Sequence, residues 1–240
     1  QEKTLRRHDK VENEKDKKKK RKMKKKKKKT KKETFLLYKQ FLLTQFNKLN
    51  IKRIKRNVES AKDISDLNPD VVIVATGSKQ SLPPIKGIDS KSVVLAEDIL
   101  DNIVEPKDKI AIIGGGLVGT ETAKYLGAMG KKIDIIEMMD GIAKDSGVNN
   151  VGHVFKKIEE YNVGINVNSR ENLITENEIH FNDEVLDIDQ VVIASGYIPN
   201  NQIVAELKET YKEVIVIGDA NKPRRILDAT SEAFVATYIL

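Results

Sequence analysis

A run of six residues offers the clearest chemistry in this sequence, and that chemistry is the binding of phosphate groups. The run is Gly114-Gly115-Gly116-Leu117-Val118-Gly119, which satisfies the spacing G-x-G-x-x-G. In that spacing the first glycine permits a tight turn, the second lets the backbone approach a pyrophosphate, and the third lets a helix pack closely on a strand. A helix beginning within the run presents free N–H groups to the phosphates. The run therefore predicts a dinucleotide-binding loop.

The residues around this loop follow the order that such a site requires. Lys109–Ile113 predicts a buried strand before the loop, Thr120–Met129 predicts a helix after it, and a second strand then leads to Glu137. A carboxylate at this position accepts hydrogen bonds from an adenosine ribose and repels a 2′-phosphate. NAD(H) is therefore favoured over NADP(H), although Lys131 and Lys132 could still face a phosphate.

Three further buried strands end in residues typical of ligand sites in open α/β sheets. They lead into Thr76-Gly77, Ser195-Gly196 and Gly218-Asp219. Apolar spacing elsewhere predicts helices from Phe35 onwards and over 151–158, and strands at 51–58, 163–167, 178–181 and 184–188. Residues 79–108, which contain several prolines, are interpreted as a connector.

Together these motifs resemble the two-dinucleotide-binding-domain flavoprotein reductases. The resemblance covers residues 35–240, and its motifs are Val-Ala-Thr-Gly at 74–77, the glycine loop, Ala-Ser-Gly at 194–196 and Ile-Gly-Asp-Ala at 217–220. The segment Lys-Pro-Arg-Arg-Ile-Leu-Asp-Ala at 222–229 is more specifically similar to the C-terminal reductase half of the old-yellow-enzyme-related group, which includes 2,4-dienoyl-CoA reductase and 2-enoate reductase.

The resemblance implies an α/β fold in which a Rossmann-like NAD(P)-binding domain is inserted into an FAD-binding domain. The inserted domain would be residues 106–196, and the FAD-binding domain would be formed by 34–105 and 197–240. The residues expected to contact FAD or to line the crossing between the domains are Thr76, Gly77, Gly196, Gly218 and Asp219. Hydride would pass from NADH to FAD, and electrons would then reach a separate FMN-containing, enone-reducing module. No catalytic side chain is predicted.

One part of the family pattern is not found in this sequence. Family members bind the FAD pyrophosphate on a glycine loop upstream of the Phe35 position, whereas no glycine precedes Gly77 here. The prediction is therefore a truncated FAD-binding domain that lacks the phosphate cradle for FAD. The first residue is Gln1, which is expected of a fragment.

The basic charge is concentrated at the N-terminus. The formal net charge is +7, and residues 1–33 hold 19 Lys and Arg against 6 Asp and Glu. This Lys-rich tail is predicted to be disordered, because it repels itself and has no apolar face. Binding to nucleic acid or an anionic surface is expected only through this tail.

The remaining composition excludes several kinds of chemistry. With no cysteine, the chain carries no disulfide, iron–sulfur cluster or redox-active thiol pair. No metal site is predicted, because His8, His153 and His180 lack ligand spacing. No apolar run approaches the roughly 20 residues that span a bilayer, and a cytoplasmic protein is expected. The sequence leaves three hypotheses: a flavin-linked NADH oxidoreductase, a non-catalytic dinucleotide-binding module, and a nucleic-acid or anionic-surface binder.

Overall fold

The computed structural model describes residues 32–145 and 148–238, which divide after Asn57 into two units. All but the last two residues of the predicted disordered tail, 1–33, lie outside the described residues. Those two residues begin a helix. None of the described helices is long and apolar enough to cross a membrane.

The first unit contains one long helix, α1, Lys32–Lys48. The predicted helix from Phe35 is thus confirmed, although its apolar side chains are largely exposed, with Phe35 at 62% and Leu37 at 66%. The predicted strand at 51–58 is wrong: these residues are exposed and are not assigned to a strand. A strand requires a ladder of backbone hydrogen bonds to a neighbouring strand, and none of the described strands pairs with this segment.

The second unit holds the strands and the other helices. The strands are β1 Val72–Val74, β2 Ser78–Gln80, β3 Val93–Leu95, β4 Lys109–Ile113, β5 Lys132–Ile136, β6 Gly164–Asn166, β7 Glu171–Ile174, β8 Glu178–Phe181, β9 Glu184–Asp187, β10 Gln190–Ile193, β11 Tyr197–Pro199 and β12 Val214–Val216. The helices are α2 Ala96–Leu100, α3 Leu117–Gly127, α4 Val148–Glu160, α5 Val204–Thr210 and α6 Ile226–Tyr238. Two 3₁₀ helices span Ala61–Leu67 and Gly218–Ala220.

A parallel sheet forms the centre of this unit. Its strand order is β3-β10-β4-β5-β6, and every described neighbour pair is parallel. Alternate residues of β4 face opposite sides of the sheet, as the period of a strand requires. Ile110 and Ile112 enter an apolar cluster with residues of α3 and α4, whereas Ala111 and Ile113 enter a second cluster with residues of β7, β8 and β10. The antiparallel β7-β8-β9 sheet thus helps to cover the face opposite the helices.

A smaller region is built on the parallel pair β1–β12. Val74 is buried there with Ala61, Leu207 and Ala220. Antiparallel pairing of β2 with β11 connects this region to the central sheet, because β2 follows β1 and β11 follows β10 along the chain. The chain therefore crosses between the β1–β12 pair and the central sheet twice, once through β2 and once through β11.

The structure adds strands that periodicity did not predict. Val93–Leu95 lies in the predicted connector, 79–108, yet it pairs with β10 as an edge strand of the central sheet. The pair β2–β11 was also missed, because each strand is only three residues long and its sequence does not alternate clearly. The predicted strands at 178–181 and 184–188 are confirmed as the β8–β9 hairpin.

Candidate functional site

The glycine loop turns sharply from β4 into α3. Gly114 has φ +102°, and its N–H donates to the carbonyl of Ile136 at 2.9 Å. A Cβ at Gly114 would lie 2.5 Å from the carbonyl oxygen of Ala194, at the end of the adjacent strand β10. The first glycine is therefore required both by its backbone angle and by the neighbouring strand.

The other glycines of the loop differ in what surrounds them. A Cβ at Gly119 would overlap the carbonyl oxygen of Gly114, so the glycine lets α3 lie directly on the loop. A Cβ at Gly115 would lie 2.5 Å from Cγ2 of Ile142. At Gly116, by contrast, the nearest atom is a carboxylate oxygen of Asp145, at 3.2 Å. The third residue of the loop thus faces the open side, where a pyrophosphate would approach.

Glu137 stands at the end of β5 and is only 5% exposed. Its carboxylate accepts the N–H of Gly115 at 2.6 Å and the N–H of Met139 at 2.8 Å. These bonds fix the carboxylate against the glycine loop, which the sequence alone did not indicate. Each oxygen retains a further lone pair for a ribose hydroxyl, so the predicted ribose contact is compatible with this geometry and stays a prediction.

A short segment after β5, residues 140–145, lies along the glycine loop, and we refer to it as the strap. The N–H of Ala143 donates to the carbonyl of Gly115 at 2.7 Å, and Ile142 is buried against the loop. The carboxylate of Asp145 accepts the N–H of Leu117, the first residue of α3, at 3.0 Å. Sequence reasoning missed the strap, because no motif marks an aspartate that caps a distant helix.

A second set of polar groups follows β12. The N–H of Gly218 donates to Glu232 at 2.7 Å, and this bond, together with hydrogen bonds from Arg224 and Asn221, lowers the pKa of the Glu232 carboxyl. Asp219 accepts the N–H of Arg224 at 3.2 Å and the hydroxyl of Ser78 at 3.3 Å. Asp219 is thereby held beside the strand that leads towards the central sheet.

The chain crossings are fixed by hydrogen bonds between the outgoing and returning segments. Thr76 Oγ1 donates to the carbonyl of Asn200, and the N–H of Asn200 donates to the carbonyl of Gly77 at 2.9 Å. The hydroxyl of Ser195 donates to the carbonyl of Ser81 at 2.8 Å. Thr76 and Gly77 therefore belong to the crossing between the two sheets, where the resemblance places them.

A cleft of 1010 Å³ connects the glycine loop with the polar groups after β12. Its volume is at the upper end of the roughly 300–1,000 Å³ typical of small-molecule sites. Of the predicted site residues, the cleft is lined by Gly114, Gly116, Leu117, Val118, Glu137, Gly196 and Asp219. It is not lined by Thr76, Gly77, Gly115, Gly119 or Gly218. The structure therefore brings residues of both predicted cofactor sites to one space.

Several cleft residues were not among the predicted site residues. Lys144 and Arg225 bring positive charge to the lining, as does Arg224, which also pairs with Glu232. Tyr197 lines the cleft beside Gly196, and burial raises the pKa of its hydroxyl. In the sequence, both arginines belong to the segment 222–229 that carries the family resemblance, and only the fold places them at the cleft.

The described residues can hold the pyrophosphate of one dinucleotide, but they supply no such cradle for the pyrophosphate of FAD. The Gly114–Gly119 loop supplies a close backbone approach and a helix N-terminus beside a cleft, which is the geometry that binds a pyrophosphate. Gly218 and Asp219, which the resemblance assigns to FAD, are held by hydrogen bonds to Glu232 and Arg224, and their contact with FAD stays a prediction. The described residues contain no second loop of this kind to hold the FAD pyrophosphate.

Comparisons with known proteins agree with this geometry. A sequence model of the pyridine nucleotide-disulphide oxidoreductase family matches residues 4–225. Bilirubin reductase of Mediterraneibacter gnavus is 31% identical over 207 residues, which cover 84% of this chain and 32% of the relative. Cinnamate reductase of Clostridium sporogenes is 32% identical over 189 residues, which cover 75% and 28%. The chain thus spans about a third of the length of these curated relatives.

Solved structures show the same likeness. A 2-naphthoyl-CoA reductase in complex with 2-naphthoyl-CoA superposes with a TM-score of 0.71 at 28% identity, over 80% of this chain and 30% of that one. The mixed α/β fold with a parallel, Rossmann-like sheet is therefore shared with this reductase.

Proposed function

We propose that this chain, which belongs to the pyridine nucleotide-disulphide oxidoreductase family, is the NADH-binding reductase part of a flavin-dependent oxidoreductase. The proposal depends on one observation: the glycine loop before α3 and the turn at Asp219, which follows β12, both line the same cleft. Two redox cofactors must meet for a hydride to pass between them, and a shared cleft is the arrangement that permits it. The family to which the chain belongs binds FAD and NAD(P)H.

The chain's own residues bind and orient the dinucleotide in this proposal. The N–H groups at the start of α3 receive the pyrophosphate, and Glu137 receives the adenosine ribose. Gly196 and Tyr197 then line the path from the phosphates towards Asp219. A bound flavin supplies the redox chemistry, by accepting hydride from the nicotinamide. No side chain is needed as a nucleophile, so the contribution of the protein is positioning.

NADH is the proposed electron donor, in preference to NADPH. Glu137 is held rigidly by two backbone N–H groups, so its negative charge cannot turn away from a 2′-phosphate without breaking them. Lys144 lines the same cleft, but Asp140 forms an ion pair with it. An NADPH affinity equal to that of NADH would contradict this preference.

The electron acceptor is proposed to be a conjugated compound reduced on a separate module. The relatives are named for bilirubin, cinnamate and 2-naphthoyl-CoA, which all carry conjugated double bonds or aromatic rings. These relatives are about three times as long as the matched segment, which leaves room for an FMN-containing module. Because NADH is an intracellular reductant, the proposed place of action is the cytoplasm.

A visible absorbance spectrum of the purified full chain tests the proposal. The spectrum is recorded with and without added FAD, and NADH is then added without oxygen. The proposal expects bound flavin whose absorbance band bleaches on addition of NADH. Bound flavin that NADH does not bleach would contradict hydride transfer in this cleft.

A non-catalytic dinucleotide-binding module is the second candidate. It is favoured by the observation that the described residues hold no cradle for the FAD pyrophosphate. This candidate expects NADH binding without flavin uptake, so the same experiment separates it from the first.

A third candidate is binding of nucleic acid or an anionic surface through the Lys-rich segment Lys17–Lys32. It rests on the sequence alone, since all but the last of these residues lie outside those described. Deletion of residues 1–31 should abolish salt-sensitive RNA or DNA binding if this candidate is right. Unchanged binding after the deletion would dismiss it.

A further inference from the structure

The phosphate-binding end of α3 is already occupied by a negative charge from the protein itself. The carboxylate of Asp145 accepts the N–H of Leu117 at 3.0 Å. The same carboxylate is the nearest neighbour of the open face of Gly116, at 3.2 Å from the position of an added Cβ. A pyrophosphate bound on a loop of this type needs both the N–H and the space above the glycine. Asp145 and the pyrophosphate therefore compete for one position.

Asp145 also accepts a hydrogen bond from Arg225, a positively charged residue that lines the cleft. Nη2 of Arg225 donates to the backbone carbonyl of Asp145 at 3.0 Å. Arg225 follows β12 and its turn, so this bond ties the strap to the part of the chain that carries Asp219. The helix N-terminus and one of the cleft arginines are thus both bound to Asp145. Both groups are the kind of donor that binds phosphate oxygens.

The strap is built so that its end can move while its middle stays in place. Ile142 and Ala143 are buried, and the N–H of Ala143 is bonded to Gly115. Asp145 itself is exposed, and it contributes nothing to either apolar cluster. Rotation of Asp145 away from α3 therefore breaks polar contacts at the surface and leaves the core intact.

We infer that Asp145 is a built-in competitor of the dinucleotide pyrophosphate, which must displace it from the N-terminus of α3. The inference rests on the proposed function, because it concerns the same dinucleotide site. Displacement of the Asp145 carboxylate releases the N–H of Leu117, which an incoming phosphate oxygen can accept, whereas Arg225 stays bonded to the Asp145 backbone carbonyl and lines the same cleft. The affinity of the chain for NADH is thus set below what the glycine loop alone would give.

The affinity of the full chain for ADP-ribose, measured by titration calorimetry, tests this inference. ADP-ribose carries the pyrophosphate without the nicotinamide, so neither flavin nor turnover enters the measurement. The variants are Asp145→Ala and Asp145→Asn, with Asp183→Asn as a control that removes the same charge from the exposed β8–β9 turn. We expect the Asp145 variants to bind ADP-ribose about threefold to tenfold more tightly, from the size of charge effects at helix ends. The control should change the affinity less than twofold.

The possible outcomes separate this inference from the proposed function. Unchanged or weaker binding by both Asp145 variants would overturn the inference, since Asp145 would then only stabilise the loop. An equal gain in the Asp183→Asn control would also overturn it, because net charge would explain the effect. If neither the unaltered chain nor any variant binds ADP-ribose or NADH, the proposed function itself fails.

Amide hydrogen exchange supplies a second measurement, on the unaltered chain. Addition of ADP-ribose should slow exchange in the glycine loop and speed it at Lys144 and Asp145, at the end of the strap, whereas the N–H of Ala143 stays bonded to Gly115. A residue with a purely structural role would become more protected when ligand binds. Slower exchange throughout residues 140–145 would therefore contradict the displacement.

Discussion

The central sheet and the β1–β12 pair differ in how much of their apolar surface is covered. In β4 every residue from Ile110 to Ile113 is at most 3% exposed, because packed layers lie on both faces. In β1 the middle residue, Ile73, is 38% exposed. Near β12, helix α6 exposes Phe234 at 68% and Tyr238 at 80%. The central sheet is therefore covered on both faces, whereas the β1–β12 region has apolar surface left to bury.

Both regions contribute residues to the cleft, so this difference bears on how firmly each set of cleft residues is held. In the glycine loop, a Cβ added at Gly114, Gly115 or Gly119 would lie 2.5 Å or less from a neighbouring atom, so close packing fixes the path of the loop backbone. The Asp219 turn is also hydrogen-bonded, but the sheet beneath it is short. Four experiments test the contrast, beginning with the one that should show the largest effect.

Ile112→Ala in β4 should lower the free energy of unfolding by about 2–5 kcal/mol, since it leaves a cavity in a closed core. The matched change in the other region, Ile73→Ala in β1, should cost less than about 1 kcal/mol, because that side chain is already half in contact with solvent. Urea denaturation of the two variants measures both values. Equal decreases in the free energy of unfolding would show that the two regions are packed equally tightly.

Gly119→Ala should lower the stability by about 3 kcal/mol, because the new methyl group overlaps the Gly114 carbonyl. It should also abolish binding of ADP-ribose, since α3 must then move off the loop. Gly152→Ala in α4 is the control, because an added Cβ there meets nothing within 4 Å. The control should raise stability by about 0.5–1 kcal/mol through helix propensity. A Gly119→Ala chain that binds normally would refute the close packing of helix and loop.

Glu137→Gln should lower stability by about 1–3 kcal/mol, because the amide has one acceptor oxygen where the carboxylate has two, so either the N–H of Gly115 or that of Met139 loses its acceptor. The preference for NADH over NADPH should narrow at the same time, since the charge that repels a 2′-phosphate is removed. Thermal unfolding and paired NADH and NADPH titrations measure the two effects. An unchanged cofactor ratio would mean that Glu137 acts only on the loop.

The smallest expected effect concerns Glu171, in β7. Burial raises the pKa of its carboxyl, and the nearby charge of Glu137 raises it further. A carboxyl whose pKa is raised on folding binds its proton more tightly in the folded state. The contribution of Glu171 to stability is therefore greatest below the ordinary glutamate pKa, and it falls as pH rises from there through the raised pKa.

Glu171→Gln removes this pH dependence. The variant should be more stable than the unaltered chain at neutral pH, by less than about 1 kcal/mol, because the group is partly exposed and solvent screens its charge. Chemical denaturation at several pH values measures the difference. If the stability of the variant follows the same pH profile as that of the unaltered chain, Glu171 is not the cause of the pH dependence.

Local spacing in the sequence is sufficient to predict the elements around the glycine loop. The glycine loop, the strands around it and the acidic residue that follows were predicted because each depends on spacing within about thirty residues. The family resemblance was also contained in such short motifs, and the family match and the shared fold confirm it.

The surroundings of those motifs depend on how distant segments pack in the fold. It placed Val93–Leu95 beside β10, and it brought Asp145 to the first N–H of α3 and Arg225 to Asp145. Arg225 and Asp145 are 80 positions apart, and their contact is a hydrogen bond between an ordinary surface side chain and a backbone carbonyl. Periodicity reports which face of an element is apolar, but it does not report which polar groups meet when distant elements pack. The strap, and the competition that we infer from it, could therefore be seen only in the folded chain.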